Sequence, residues 1–154
     1  MRRAPAIFFV DTSCIVAAVC SWHGHHARAA AEIERRLGVR ERMATAAHAL
    51  AEAYAVLTRL PAPHRLSPAD ALELLEGNWL DSARVVALDA VGYRSLLRRA
   101  GKEGISGGRT YDAVIAACAL KAKAAVLLTF NAHHFASFEA SGLRLVVPAA
   151  EAIQ

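Results

Sequence analysis

Four polar side chains, each nearly isolated in an apolar segment, place the strongest constraint on how this chain can fold. Asp11 ends the run Ala-Ile-Phe-Phe-Val, and Asn131 directly follows Val-Leu-Leu-Thr-Phe. Glu52 and Asp112 are each the single charged residue of an apolar segment. A carboxylate beside buried surface costs free energy unless a partner residue or a metal ion compensates its charge. Since no obvious basic partner stands beside these acids, they predict a shared site for a hard divalent cation.

The composition indicates one domain with a substantial core. A chain of 154 residues with 55% hydrophobic and 21% charged residues is too apolar to be disordered, and we expect a single domain over residues 1–154. The net charge of +4 weakly favours an acidic partner such as nucleic acid. Asp11 interrupts the N-terminal apolar segment, and no other segment approaches the ~20 apolar residues that span a bilayer. The three cysteines are expected to be buried thiols, which favours a reducing, cytoplasmic location away from membranes.

Short, apolar, β-rich segments alternate with helical ones, which predicts a parallel sheet with helices on both faces. We expect strands at about 6–10, 42–45, 84–88, 125–130 and 143–147. We expect helices at about 12–20, 25–37, 46–59, 67–79, 90–101 and 110–123. Gly38 is expected to close the second helix, Ser67 and Pro68 to start the fourth, and Asp89 to cap the fifth.

The predicted strand ends indicate where a site forms, because ligands bind beyond the carboxyl ends of parallel strands. Asp11 and Asn131 follow such ends, and Asp112 lies in the first turn of a helix, whose dipole favours an ionised carboxylate. Glu52 lies within a helix and reaches the same point only if that helix face packs over the sheet end. Oxygen ligands suit Mg²⁺ or Mn²⁺ better than zinc, and such an ion can activate water for attack on a phosphodiester. Taken singly, Asp11 could equally be a helix cap, Asp112 a first-turn acid and Asn131 a turn residue.

Several other residues are expected to have structural or solvent roles. Trp22 and Trp79 are expected to pack against neighbouring residues. Arg94, Arg98 and Lys102 share one helical face, which is either a solvated surface or a contact for an RNA backbone or an acidic partner. The early histidine cluster (His23, His25 and His26) is expected to form an exposed turn away from other metal ligands. The later histidine pair (His133 and His134) is expected to have a local structural or solvent role.

Three segments, in the right order along the chain, resemble a known family. Phe-Val-Asp-Thr-Ser at 9–13 resembles the opening of PIN domains, and Ala-Glu-Ala-Tyr-Ala-Val-Leu-Thr-Arg-Leu-Pro at 51–61 is similar to their glutamate-bearing helix. Tyr-Asp-Ala-Val-Ile-Ala-Ala-Cys-Ala-Leu at 111–120, followed by Leu-Leu-Thr-Phe-Asn-Ala-His-His-Phe at 127–135, is similar to their C-terminal signature. The overall length resembles the VapC-type toxins of type II bacterial toxin–antitoxin pairs.

This resemblance implies an α/β protein with a three-layer α/β/α PIN-like fold and a mostly parallel central sheet of four to five strands. It also implies a Mg²⁺- or Mn²⁺-dependent endoribonuclease that cleaves RNA, is inhibited by a small cognate antitoxin and is usually a homodimer. Asp11, Glu52 and Asp112 match the family's acidic metal-binding positions. Asn131 completes the catalytic set at a fourth position, where many members carry aspartate. Because an amide removes one negative charge, we expect one tightly bound ion.

Two other classes of function stay open. A PIN-like protein that has lost catalysis could act only as a binding module. Asn131 is the reason for this alternative, because it stands where many family members carry aspartate. A non-nuclease signalling domain could use the same doubly wound sheet. A phospho-receiver domain normally has an adjacent acidic pair and a late lysine, and a haloacid-dehalogenase-type phosphotransferase has two aspartates flanking one residue. The segment Phe-Val-Asp-Thr-Ser matches neither pattern.

Overall fold

A parallel sheet of five strands lies at the centre of the structure, a computed structural model that describes residues 2–150. The strands are β1 (Ile7–Val10), β2 (Arg42–Ala46), β3 (Arg84–Val86), β4 (Val126–Leu128) and β5 (Arg144–Val146). Their spatial order is β3-β2-β1-β4-β5, and every neighbouring pair is parallel. The predicted domain over 1–154 includes residues 1 and 151–154, which lie outside the described part of the chain.

Seven α-helices accompany the sheet within residues 2–150. They are α1 (Thr12–Val19), α2 (His26–Gly38), α3 (Ala47–Arg59), α4 (Pro68–Leu75), α5 (Ala90–Glu103), α6 (Arg109–Lys121) and α7 (Ala132–Phe135). Helix α1 packs against α2 and α3, whereas α6 packs against β2, α5 and α7. The predicted three-layer α/β architecture is confirmed. Within the described range, no helix combines the length and the apolar character that crossing a bilayer requires.

Strand β1 forms the middle of the core. Phe8, Phe9 and Val10 have no exposed surface, because β1 pairs with β2 on one side and β4 on the other while helices cover the sheet. A continuous apolar run is what a strand buried on both faces requires. The predicted burial of all three cysteines, Cys14, Cys20 and Cys118, is confirmed.

The strand order places a topological switch point between β1 and β4. From β1 the chain moves outward through β2 to β3, and it later returns to β4 on the opposite side of β1 and continues to β5. Connections therefore leave β1 and β4 in opposite directions, which opens a crevice at their carboxyl ends. Asp11 follows β1 here, and its N–H donates to the carbonyl of Leu128 at the end of β4 (3.1 Å).

Several element ends differ from the prediction. Strands β3, β4 and β5 each have three residues, where five, six and five were predicted (84–88, 125–130 and 143–147). Gly38 does not close α2 with a left-handed turn; Arg40 has the positive φ there (65°). Helix α5 continues to Glu103 and ends on Gly104 (φ 71°) instead of near Gly101.

Two local structures were not expected from the sequence. The predicted helix over 67–79 divides into α4 and a five-residue π-helical turn, Glu76–Leu80. Helix α7 and a 3₁₀ segment, Ala136–Ser141, follow β4 where no element was expected. Helix α7 places His134 beside Asp112, one of the predicted site residues.

Candidate active site

Asp11 is held rigidly at the carboxyl end of β1. Its Oδ1 accepts hydrogen bonds from the Ser13 hydroxyl (2.7 Å) and the Cys14 N–H (2.9 Å), which makes it the N-cap of α1. Its Oδ2 accepts a hydrogen bond from the Thr129 hydroxyl, across the switch point. Only 3% of Asp11 is exposed. Asp11 therefore has the capping role that was one reading of the sequence, and it also faces the crevice.

Two hydroxyl groups tie the start of α1 to the segment after β4. Ser13 Oγ accepts a hydrogen bond from the Phe130 N–H (3.0 Å), and Thr129 Oγ1 accepts one from the Asn131 N–H (2.9 Å). Each hydroxyl also donates to Asp11, so the positions of Asp11 and Asn131 are coupled. Sequence reasoning missed Thr129, because this role depends on the pairing of β1 with β4 and leaves no local pattern.

Glu52 reaches the same crevice from α3 and is half-buried. Its Oε1 is buried and has no hydrogen-bond partner within the described residues. His48 Nε2 lies 2.6 Å from this atom, within ion-pair distance, although neither atom has a hydrogen bond of regular geometry. The imidazole of His48 stacks on Tyr111, with ring centroids 5.0 Å apart. Sequence reasoning missed His48, although its four-residue spacing from Glu52 places both on one helix face.

Asp112 lies in the first turn of α6, as predicted, and is half-buried. Its Oδ2 is 3.4 Å from Nδ1 of His134 on α7. His134, for which a local structural or solvent role was predicted, thus contacts one of the candidate acids.

Burial raises the pKa of all three carboxyl groups. The pKa of Asp11 rises to about 6 because burial outweighs the hydrogen bonds that favour its charge, and Asp112 adds to the rise. Burial also raises the pKa of Glu52, against the opposing effect of His48, while Asp112 again adds to it. Burial raises the pKa of Asp112, with His134 and Arg109 opposing the change. Asp112 thus destabilises the charged forms of Asp11 and Glu52, an electrostatic setting that favours a bound cation.

One cavity of about 530 Å³ joins these side chains. Asp11, Glu52, Asp112 and Asn131 all line it, although they come from four separate parts of the chain. Packing of α3 over the sheet end, the condition on which Glu52 depended, is therefore met. In residues 2–150, however, no three His, Cys, Asp or Glu side chains are close enough together to hold a metal ion. The structure thus brings the four predicted residues to one cavity without drawing them to a single point.

The donor atoms present fit a hard divalent cation. Carboxylate and amide oxygens are the ligands that Mg²⁺ and Mn²⁺ prefer. The buried Oε1 of Glu52 has an unused acceptor position beside the cavity, and three carboxylates face the same space. A buried carboxylate oxygen without a hydrogen bond is costly, and a bound cation would remove that cost.

Two histidines of the early cluster line the cavity, which corrects the prediction of an exposed turn away from other ligands. His23 and His25 form part of the cavity wall, and His25 stacks on Phe130 at 4.5 Å between centroids. His26 contacts the carbonyl of Ala17 through Nδ1 (2.9 Å). Their placement depends on how the segment between α1 and α2 folds back, and local sequence gives no signal for it.

Some of the remaining sequence predictions agree with the structure and others do not. Trp79 is buried as predicted, whereas Trp22 is 47% exposed. Asp89 caps α5 as predicted, with its Oδ1 accepting from the Gly92 N–H (2.8 Å). The face formed by Arg94, Arg98 and Lys102 is exposed and does not line the cavity.

Comparison with known proteins places the chain in a family. The family model described as PIN domain matches residues 8–140. Ribonuclease VapC40 of Mycobacterium tuberculosis is 37% identical over 129 residues, which is 84% of this chain and 90% of the relative. Ribonuclease VapC27 of the same species is 36% identical over 140 residues, 91% of this chain and 96% of the relative.

A solved structure agrees with this assignment at the level of the fold. VapBC2 from Rickettsia felis, determined with a DNA fragment from its promoter, superposes with a TM-score of 0.65 and 20% identity. The alignment covers 92% of this chain and 98% of the compared one. The switch point at β1 and β4, the four polar residues around one cavity and the match over residues 8–140 thus lead to one conclusion: this protein belongs to the PIN-domain family.

Proposed function

We propose that this protein is a metal-dependent endoribonuclease of the VapC type, inhibited by a small cognate antitoxin. The observation that carries the proposal is the shared cavity, into which three carboxylates and one amide project from four parts of the chain. The ribonucleases VapC40 and VapC27 support the same class of reaction, hydrolysis of RNA phosphodiester bonds.

Asp11, Glu52 and Asp112 would hold one Mg²⁺ or Mn²⁺ ion, directly or through bound water. When bound, such a cation supplies charge neutralisation at a phosphate and lowers the pKa of a water molecule. Asp11 is the fixed member of the set, because Ser13, Thr129 and the start of α1 hold both of its oxygens. Glu52 and Asp112 each have a histidine neighbour, His48 and His134, which stabilises the charged carboxylate.

Asn131 would orient the attacking water or a substrate oxygen beside the acids. Its N–H is anchored to the Thr129 hydroxyl, so its position follows that of Asp11. An amide offers one oxygen acceptor and no negative charge. The cavity therefore favours one tightly bound cation over two.

The antitoxin and a homodimer are the proposed protein partners. The VapBC2 structure is the comparison that favours an antitoxin. For the homodimer, an apolar groove lies between α2 and the π-helical turn, with Ile33, Leu37 and Trp79 in its wall. Leu37 is 46% exposed there. Sedimentation of the wild type as a dimer and of Leu37→Glu as a monomer would support self-association through this face.

RNA cleavage with a matched pair of variants tests the activity. Asp112 and Asp70 are both first-turn acids, of α6 and α4, but Asp70 is exposed and does not line the cavity. Wild type and Asp70→Asn should cleave labelled RNA with Mg²⁺ or Mn²⁺ and stop when EDTA is added. Asp112→Asn should remain folded and inactive.

Retained cleavage by Asp112→Asn in a clean preparation would remove this residue from the mechanism. Cleavage that persists in EDTA would exclude the metal. A wild type that binds RNA or antitoxin but cleaves nothing under any metal condition would instead support the catalytically impaired binding module.

A further inference from the structure

A continuous row of aromatic rings runs from the cavity to the surface. We define the aromatic row, from inside to outside, as Phe130, His25, His23, Trp22 and His64. Neighbouring ring centroids are 4.5, 5.6, 6.0 and 4.0 Å apart, and the first and last pairs are stacked, with interplanar angles of 16° and 22°. Three separate parts of the chain supply the rings: the segment after β4, the loop between α1 and α2, and the loop between α3 and α4.

The inner end of the row belongs to the candidate active site. Phe130 directly precedes Asn131, and the rings of Phe130, His25 and His23 line the same cavity as the acids. Arg28 on α2 holds this end in place, with its guanidinium 5.3 Å from the Phe130 ring and its Nη1 3.1 Å from His25 Nδ1. The inner rings are therefore fixed beside the acids.

The outer end of the row is open to solvent. Trp22 is 47% exposed, although a tryptophan that serves only to pack is usually well covered. His64 covers part of Trp22 by stacking on it at 4.0 Å. The rest of the indole is exposed beside His23, which lines the acidic cavity.

Charge alone does not explain how an acidic cavity attracts a polyanion. Phosphates approaching Asp11, Glu52 and Asp112 meet like charges unless a cation is present. Stacking on aromatic rings supplies affinity that does not depend on charge or on base sequence. His23 is suited to this, because burial and the neighbouring histidines His25 and His26 lower its pKa and so favour the uncharged ring at neutral pH.

We propose that the aromatic row binds the unpaired bases of single-stranded RNA next to the phosphodiester that is cleaved. This inference rests on the proposed ribonuclease function, since it takes the cavity to be the cleavage site. Double-stranded RNA keeps its bases stacked inside the helix, whereas unpaired bases can turn outward onto aromatic side chains. The row therefore selects single-stranded segments and places the backbone beside Asn131.

Binding measured without cleavage tests the proposal. The probe is a short fluorescein-labelled single-stranded RNA of mixed sequence, titrated with the full-length protein in EDTA and followed by fluorescence anisotropy. Trp22→Leu and His25→Ala should each raise the Kd about tenfold, the effect of losing one base stacked on an aromatic ring. Trp22→Phe, which keeps a ring, should bind nearly as well as the wild type.

Two controls separate stacking from a general loss of structure. Tyr93 on α5 is also an exposed aromatic residue (41%) but does not line the cavity, so Tyr93→Ala should leave the Kd unchanged. A duplex of the same RNA should bind weakly, and Trp22→Leu should not alter its Kd. Urea unfolding of each variant shows whether the fold is intact, and His25→Ala preserves the test if Trp22→Leu is unstable.

The outcomes distinguish this inference from the ribonuclease proposal. If Trp22→Leu and His25→Ala bind single-stranded RNA more weakly than the wild type, the proposed role of the aromatic row is supported. This holds even if the wild type cleaves no RNA and the ribonuclease proposal fails. An unchanged Kd in folded Trp22→Leu and His25→Ala overturns the proposed role of the aromatic row, even if the protein cleaves RNA. Absence of wild-type binding, or equal loss in Tyr93→Ala, also overturns it.

Discussion

Asp11 and Asp89 have the same local role at two strand ends, but their surroundings differ. Each follows a parallel strand, β1 or β3, and each accepts a hydrogen bond from the N–H three residues later, at 2.9 and 2.8 Å. Asp11 is 3% exposed and lines the acidic cavity, whereas Asp89 is exposed and outside it.

The position of each strand in the sheet explains the difference. Strand β1 is central and adjoins β4 at the switch point, so residues after both strands surround Asp11. Strand β3 is at the edge of the sheet that residues 2–150 form, where it pairs with β2. An aspartate that follows a strand therefore becomes a candidate catalytic group when its strand borders a reversal in strand order. Capping alone does not make it one.

The largest expected effect is on RNA cleavage. Asp11→Asn keeps an N-cap side chain, because asparagine caps helices about as well as aspartate, but it removes the charge. We expect activity to fall by up to about a thousandfold, the scale of losing one charge-stabilising group in an active site. Cleavage rates at saturating Mg²⁺ measure this.

Asp89→Asn makes the same chemical change outside the cavity and should cleave RNA at the wild-type rate. Equal losses in the two variants would show that the comparison reflects capping and stability instead of catalysis.

The next effect is on stability against pH. Burial raises the pKa of Asp11 from 3.8 to about 6 in the folded protein, so the folded state binds this proton more tightly than the unfolded chain. Stability from this group is present below about pH 4 and is lost as pH rises through about 6. The loss amounts to about 3 kcal/mol in the free energy of unfolding.

Urea unfolding from pH 4 to 8 without divalent cations measures this dependence. Asp11→Asn should show a flatter profile by that amount, while Asp89→Asn should follow the wild type. Residual slope in Asp11→Asn is expected from Glu52 and Asp112, because burial raises the pKa of both. Superimposable wild-type and Asp11→Asn profiles would contradict the prediction.

A slightly smaller effect is expected from metal binding. At neutral pH, Mg²⁺ at a hundred times its Kd should raise the wild-type free energy of unfolding by about 2.7 kcal/mol, because the folded state alone binds it. Asp89→Asn should gain the same amount, and Asp11→Asn and Glu52→Gln should gain much less. Thermal unfolding with and without Mg²⁺ measures the gain, and an equal gain in all variants would place the cation elsewhere.

The acids and Asn131 could be predicted from sequence because each interrupts an apolar segment. Asp11 and Asn131 follow buried strands, and this pattern alone placed them at the same edge of a parallel sheet. Their partners could not be predicted in the same way. Thr129 and Ser13 bridge β1 and β4, which are more than a hundred residues apart in the chain, and only the strand order brings them together.

Of the histidines near the acids, some could have been predicted from the sequence and others could not. His48 could have been found, because a four-residue spacing on one helix predicts contact with Glu52. His23 and His25 could not, since a loop of no regular periodicity decides where they lie. Strands β3, β4 and β5 were predicted too long, because an apolar run indicates burial and does not fix where the hydrogen-bonded ladder ends.

The smallest expected effect is a loss of stability at Asp89 without a loss of RNA cleavage. Asp89→Ala removes the acceptor for the Gly92 N–H and should lower the free energy of unfolding by about 1 kcal/mol. For a chain of this size, the melting temperature should fall by about 2–4 °C. Asp89→Asn should restore it, and both variants should cleave RNA at the wild-type rate per folded molecule. A loss of specific activity in Asp89→Ala would mean that the edge of the sheet is coupled to the cavity, since the cap of α5 touches none of the residues proposed to act on RNA.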